Sequence, residues 1–144
     1  MTPIKAALCP RPMSDPSNLS HRTLILAVED EPAVRAVAVE ALEDDGFEVI
    51  EAPSADHAAT ILQARDDIAV VFTDVTMAGE LNGFDLARIA EKLHPNISVI
   101  VTSGALPSGF SGLAPDARFL QKPYRMTRVI ELIRQVTVNQ SHSG

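Results

Sequence analysis

The sequence predicts an α/β fold, a doubly wound parallel sheet built from five βα repeats with a degraded fourth helix. Three observations carry that reading. Apolar runs of strand length recur along the chain, and stretches of helical periodicity separate them. Strands joined through helices pair in parallel by right-handed crossovers, which cover both faces of the sheet. Four of the runs end on residues suited to handling a phosphoryl group. Thr23 to Val28 leads into Glu29-Asp30-Glu31, Ile68 to Thr73 into Asp74, Ile97 to Val101 into Thr102, and Ala117 to Gln121 into Lys122-Pro123. In an open parallel sheet, ligands bind beyond the carboxyl ends of the strands, so these groups are expected to meet in one place.

Each element has a local reason. After the first strand, Ala33 to Asp44 reads as a helix with Pro32 in its first turn, where a missing N–H costs least. Val34, Val37, Ala38, Ala41 and Leu42 are its expected inner face. Gly46 stops the helix, and Phe47 to Ala52 forms the second strand. Ser54 is the expected N-cap of a helix reaching Ala64, with Ala58, Ile61 and Leu62 inward. The third helix spans Phe84 to Leu93, with Leu86, Ala90 and Leu93 inward and Pro95 ending it. The last runs from Met126 to Asn139 with Val129, Leu132, Ile133 and Val136 on one stripe. Between them, 104–115 holds three Gly and two Pro. At about 1 kcal/mol per Gly and about 3 per interior Pro, a loop with at most a turn or two of helix is expected there.

Bulk properties narrow the class. The 46% apolar content and the lack of a long charge run fit one folded domain over residues 23–139. Residues 1–22, rich in Pro and Ser, read as a disordered tail, and 140–144 as a short C-terminal tail. Met13 offers a second possible start of translation. No run approaches the roughly 20 apolar residues that span a bilayer. The interrupted N-terminus makes a poor secretory signal, and the lone Cys9 has no partner in the chain, so no membrane association and a cytoplasmic location are expected. The formal charge is −7 overall, and the segment 1–22 is itself basic (Lys5, Arg11 and Arg22 against Asp15), which leaves about −9 on the remainder. Such a surface repels phosphate backbones and argues against a nucleic-acid partner.

The strand-end residues form a complete phosphoryl-transfer set. A carboxylate can attack phosphorus and form an acyl phosphate. Mg²⁺, held by one or two carboxylates with phosphate oxygens and waters, neutralises the transferring group. An ammonium and a hydroxyl hold the remaining oxygens. Asp74 is the candidate nucleophile, Asp30 and Glu29 the metal carboxylates, Lys122 the ammonium and Thr102 the hydroxyl. Taken singly, each has a blander use: Asp74 as a loop acid or helix cap, Glu29-Asp30-Glu31 as a solvated helix entry favoured by the dipole, and Thr102 as a partner for backbone groups. Glu31 is assigned only that helix-entry role. His21, His57, His94 and His142 have neither metal-ligand spacing nor a paired nucleophile and are expected at the surface or in the tails.

The arrangement resembles the receiver domain of two-component response regulators. The resemblance rests on Leu26 to Pro32, Thr73 to Met77, Asn82 to Leu86, Val101 to Gly104 and Phe119 to Tyr124, in order and at the expected spacing, over residues 23–138. It implies a flavodoxin-like (βα)5 fold with strand order 2-1-3-4-5, a phosphoacceptor at Asp74 and a sensor histidine kinase or histidine phosphotransfer protein as donor. Asp30 matches the direct Mg²⁺ ligand, Glu29 its water-mediated partner, Asp74 a further ligand and the backbone carbonyl of Thr76 another. Thr102 and Lys122 match the residues that grip the phosphoryl group. Thr102 and Phe119 fall at the switch positions, and Lys122–Pro123 at a peptide bond that is cis in the family.

Several residues depart from the family pattern. The acid pair is Glu-Asp, Ala78 replaces a frequent proline, and Gly79 to Gly83 is one residue longer than the commonest version, as in receivers related to hybrid kinases. Thr76 and Gly104 occupy the two positions that tune access of water. No effector segment follows the last helix, so a stand-alone switch or relay intermediate acting on an unknown downstream protein is expected, rather than an enzyme. Two other functions compete. A Mg²⁺-dependent phosphohydrolase of the haloacid dehalogenase type carries a second Asp two residues after the nucleophile, where this chain has Thr76. An adaptor that works without phosphorylation has no need of the intact acid–Thr–Lys set.

Overall fold

The computed structural model describes residues 23–75, 81–104 and 118–143, with side chains along the last helix described as far as Thr137. In chain order the elements are β1 (Leu24–Val28), α1 (Pro32–Asp44), β2 (Glu48–Ala52), α2 (Ala55–Ala64), β3 (Val70–Asp74), α3 (Gly83–Leu93), β4 (Ser98–Ser103), β5 (Arg118–Gln121) and α4 (Met126–Ser143). The five strands form one sheet, ordered β2-β1-β3-β4-β5 and parallel at every pairing. The order reverses between β1 and β3, which opens a crevice at their carboxyl ends.

Strand alternation divides the core in two. Leu24, Leu26 and Val28 of β1, Val71 of β3 and Val99 and Val101 of β4 face α2 and α3. Ile25, Val70, Phe72 and Ile100 face α1 and α4. β1 and β3 are buried along their whole length, while the edge strands β2 and β5 are mostly half-exposed or exposed.

Helix ends follow their residues. The Ser54 hydroxyl accepts the His57 N–H at 3.0 Å. Asn82 and Asp85 cap α3 reciprocally, at 2.9 and 3.1 Å. α1 ends in a Schellman motif: the Gly46 N–H donates to the Glu43 carbonyl, the Phe47 N–H to that of Leu42, and Gly46 sits at φ 98°. Gly46→Ala meets no side-chain obstacle but must adopt a left-handed backbone conformation, so it is expected to cost about 1 kcal/mol. Thermal melting checks this as a drop of a few degrees in Tm.

Three inward assignments from the sequence are corrected. Val34 and Val37 are 40% and 62% exposed, and α1 buries Ala38, Val39 and Leu42 instead. Apolar residues surround this helix, so periodicity alone could not fix which stripe faces inward. The rotation is set by Arg35, whose Nη1 donates to the Glu29 carbonyl at 2.7 Å and whose Nε pairs with Glu51 at 3.1 Å. Leu93, 41% exposed, lies at the C-terminal end of α3. His94 is half-buried rather than at the surface, with its Nε2 2.7 Å from the Leu62 carbonyl, tying α3 to α2. α4 continues to Ser143, four residues past the expected Asn139, because no Gly or Pro interrupts it. The tail 1–22, and the expected loop 104–115 apart from Gly104, lie outside the described residues.

Candidate functional site

Strand register brings the strand-end residues together. Asp74 and Thr102 are direct partners across β3 and β4, and the Val75 N–H donates to the Thr102 carbonyl at 2.8 Å. β1 pairs with β3 up to Val28–Thr73, so Glu29 leaves β1 beside Asp74. Lys122 follows β5, its N–H donating to the Ser103 carbonyl at 2.7 Å, and the Lys122–Pro123 peptide is cis. From there its Nζ reaches Asp74 Oδ2 at 2.6 Å. Asp74 and Thr102 are buried, Glu29 is half-buried and Asp30 is exposed at the mouth.

The site is electrostatically tense without a cation. Glu29 has its pKa raised, first by burial and then by the charge of Asp74 and contact with Asp30; the Glu31 amide, donating at 3.2 Å, and Lys122 oppose the rise. The Lys122 ammonium loses hydration on burial, but its hydrogen bond to Asp74 and the charges of Asp74 and Glu29 outweigh that and raise its pKa. Lys122 therefore stays charged, and a divalent cation would relieve the crowding of acids.

Among the described residues, no three His, Cys, Asp or Glu side chains are grouped to enclose a metal by themselves. Mg²⁺ takes one or two carboxylates and keeps waters and phosphate oxygens for its other positions, so it needs no such enclosure. The hard oxygen donors of Glu29, Asp30 and Asp74 fit that ion. Thr76, whose backbone carbonyl was expected to add a ligand, lies outside the described residues, as do Met77, Ala78, Gly79 and Glu80.

Sequence reasoning assigned no role inside the site to three residues that shape it. Arg35 anchors the acidic loop through the Glu29 carbonyl. Tyr124, edge-on to Phe72 with ring centroids 6.2 Å apart, walls the site next to Thr102. Gly83 packs against the end of β3, donating its N–H to the Val75 carbonyl at 2.9 Å. A Cβ on Gly83 would come within 2.3 Å of the Asp74 carbonyl oxygen. Gly83→Ala must therefore push the Asp74 backbone aside, and it is expected to cost about 1–3 kcal/mol. Melting of this variant, together with its phosphorylation rate, tests the effect; wild-type values for both would contradict it. Phe119, the expected switch aromatic, is half-buried against the α2–α3 side of the core.

The characteristic pattern of the response regulator receiver domain matches residues 25–134, most of the chain. The chain belongs to that family. Among curated relatives, this receiver is 34% identical over 128 residues to the sensor kinase CckA of Brucella abortus, covering 86% of the chain but 13% of CckA. It is 29% identical to the response regulator receiver protein CpdR of the same organism, over 79% of the chain and 96% of CpdR. The chain spans about a quarter or less of the first curated relatives it matches. A response regulator receiver protein from Sinorhizobium medicae superposes with a TM-score of 0.79 at 25% identity, covering 84% of this chain and 98% of that one. The receiver domain of the hybrid histidine kinase CckA gives a TM-score of 0.66 at 32% identity, covering 78% and 97%. Parallel strands in the order 2-1-3-4-5 agree with these neighbours. No helix among the described residues is long and apolar enough to cross a membrane.

Proposed function

We propose that this receiver accepts a phosphoryl group on Asp74 from the phosphohistidine of a sensor kinase or a histidine phosphotransfer protein, and that the resulting acyl phosphate switches a protein-binding surface. The observation that carries this is the contact between buried Asp74 and Lys122, 2.6 Å apart beside Thr102 at the sheet's switch point. An Asp74 carboxylate oxygen attacks phosphorus as the P–N bond breaks, and the departing imidazole nitrogen takes up a proton from solvent. Bound Mg²⁺ supplies charge neutralisation for the transferring oxygens. Asp30 would hold it, with Glu29 as its supporting carboxylate. Lys122 stays charged and binds one phosphoryl oxygen, while the Thr102 hydroxyl turns to donate to another. Phe119 follows Thr102, and the change biases the population of two surface states.

Similarity to CpdR, which the chain covers almost end to end, supports a stand-alone regulator or relay intermediate. Its direct output is a protein, with no nucleic acid or membrane involved. Intact mass after incubation with a small phosphodonor and Mg²⁺, run beside an assay of phosphomonoester turnover, tests the reading. One added phosphoryl group without turnover is expected. Catalytic turnover would indicate a phosphohydrolase, and an unmodified mass a phosphorylation-independent adaptor.

A further inference from the structure

The aromatic residues Phe119 and Tyr124, which bracket Lys122, stand on opposite sides of the sheet. Along β4, Val99 and Val101 point to the α2–α3 face and Ile100 to the α1–α4 face. Strand alternation therefore turns the Thr102 side chain to the α1–α4 face. Phe119 packs with the opposite cluster. Tyr124 packs on the α1–α4 side, edge-on to Phe72, and lines one narrow cleft with Asp74 and Thr102. The two hydroxyl-bearing residues line that cleft together, and their interaction opposes the burial-driven rise of the phenol's pKa. The same ring walls an open apolar groove with Val34, Val37 and Met126. Tyr124 thus borders both the inner cleft and the outer groove.

We propose that Tyr124 is a positioning residue for Thr102: its hydroxyl holds the Thr102 hydroxyl in the resting protein and gives it up when Asp74 carries a phosphoryl group. Phe119 has no hydroxyl and lies across the sheet, so it cannot make this bond. Releasing Thr102 costs the resting hydrogen bond, which tunes how readily the site captures a phosphoryl group. It also leaves the phenol free to turn toward the groove. The inference rests on the phosphoacceptor reading above.

Tyr124 is the chain's one tyrosine, so protein labelled with ¹³C at the tyrosine ζ carbon gives a single ring resonance. Full-length protein is compared with and without Mg²⁺ and beryllofluoride, a phosphoryl mimic whose binding ¹⁹F spectra report. Beryllofluoride is expected to displace the Tyr124 resonance. Thr102→Val is expected to displace it without any mimic and to remove most of the further response, while Thr102→Ser, which keeps the hydroxyl, restores wild-type behaviour. Tyr124→Phe is expected to bind beryllofluoride roughly two- to tenfold more tightly, the range one lost hydrogen bond sets, with Mg²⁺ affinity unchanged. A Tyr124 resonance unmoved by Thr102→Val, or an unchanged beryllofluoride affinity in Tyr124→Phe, overturns the inference. If beryllofluoride binds normally yet Tyr124 does not respond, the inference alone fails. If beryllofluoride does not bind at all, the phosphoacceptor reading fails and the inference falls with it.

Discussion

Asp74→Ala is expected to reduce Mg²⁺-dependent phosphoryl uptake to the detection limit while the protein remains folded. No neighbouring carboxylate can substitute. Glu29 and Asp30 lie beyond the end of β1, and only Asp74 has its oxygen 2.6 Å from the Lys122 ammonium. The fold should tolerate the loss. Lys122 is 38% exposed and can be rehydrated, so the pair contributes within about 1 kcal/mol. Removing the Asp74 charge also relieves the repulsion that raises the Glu29 pKa. Thermal melting near the wild-type Tm, measured on the same sample as the mass, separates lost chemistry from lost structure. A full phosphoryl mass gain in Asp74→Ala would refute the assignment of the nucleophile.

The second large effect concerns the metal. Asp30→Asn is expected to abolish measurable Mg²⁺ binding, whereas Glu29→Gln should weaken it by about tenfold, as for a carboxylate acting through water. One oxygen of Glu29 already accepts the Glu31 amide, which suits an indirect role. Without metal, Glu29→Gln should raise Tm at neutral pH. A carboxyl whose pKa is raised on folding favours the folded state in its neutral form, so its ionisation weakens the fold as pH rises through that pKa. Calorimetric titration with Mg²⁺ and melting with and without Mg²⁺ read both effects. Equal losses of affinity in the two variants would contradict the ranking.

Most of the architecture was legible because its signals are local and redundant. Ser54 caps α2, Pro32 opens α1 and Gly46 closes it, each through backbone chemistry that a few residues specify. The set of Asp74, Thr102 and Lys122 was legible because parallel topology turns strand ends into neighbours, and the register then aligns Asp74 with Thr102. The facing of α1 was not. Val34, Val37 and Val39 are equally apolar, and the choice among them depends on Arg35 reaching Glu29 and Glu51, contacts across 6 and 16 residues. The placement of Tyr124 inside the site was not legible for a related reason. Its hydroxyl acquires meaning only when the fold places it on the same face as Thr102, whereas Phe119 is marked by its position in the family pattern. Gly83 reads as an ordinary helix-entry residue until the Asp74 carbonyl is seen packed against it.

The central claim is that the phosphoryl group resides on the Asp74 carboxylate, and borohydride trapping tests it most directly. An acyl phosphate is reduced by borohydride to the alcohol, which converts a phosphorylated aspartate into homoserine. Wild-type protein incubated with phosphodonor and Mg²⁺, reduced and then digested, should yield homoserine at position 74 in the peptide that spans β3, and unmodified Asp74 when Mg²⁺ is omitted. Homoserine at position 30, or 2-amino-5-hydroxypentanoate at position 29 or 31, in place of homoserine at 74, or a phosphoryl mass gain that borohydride does not convert, would contradict the account.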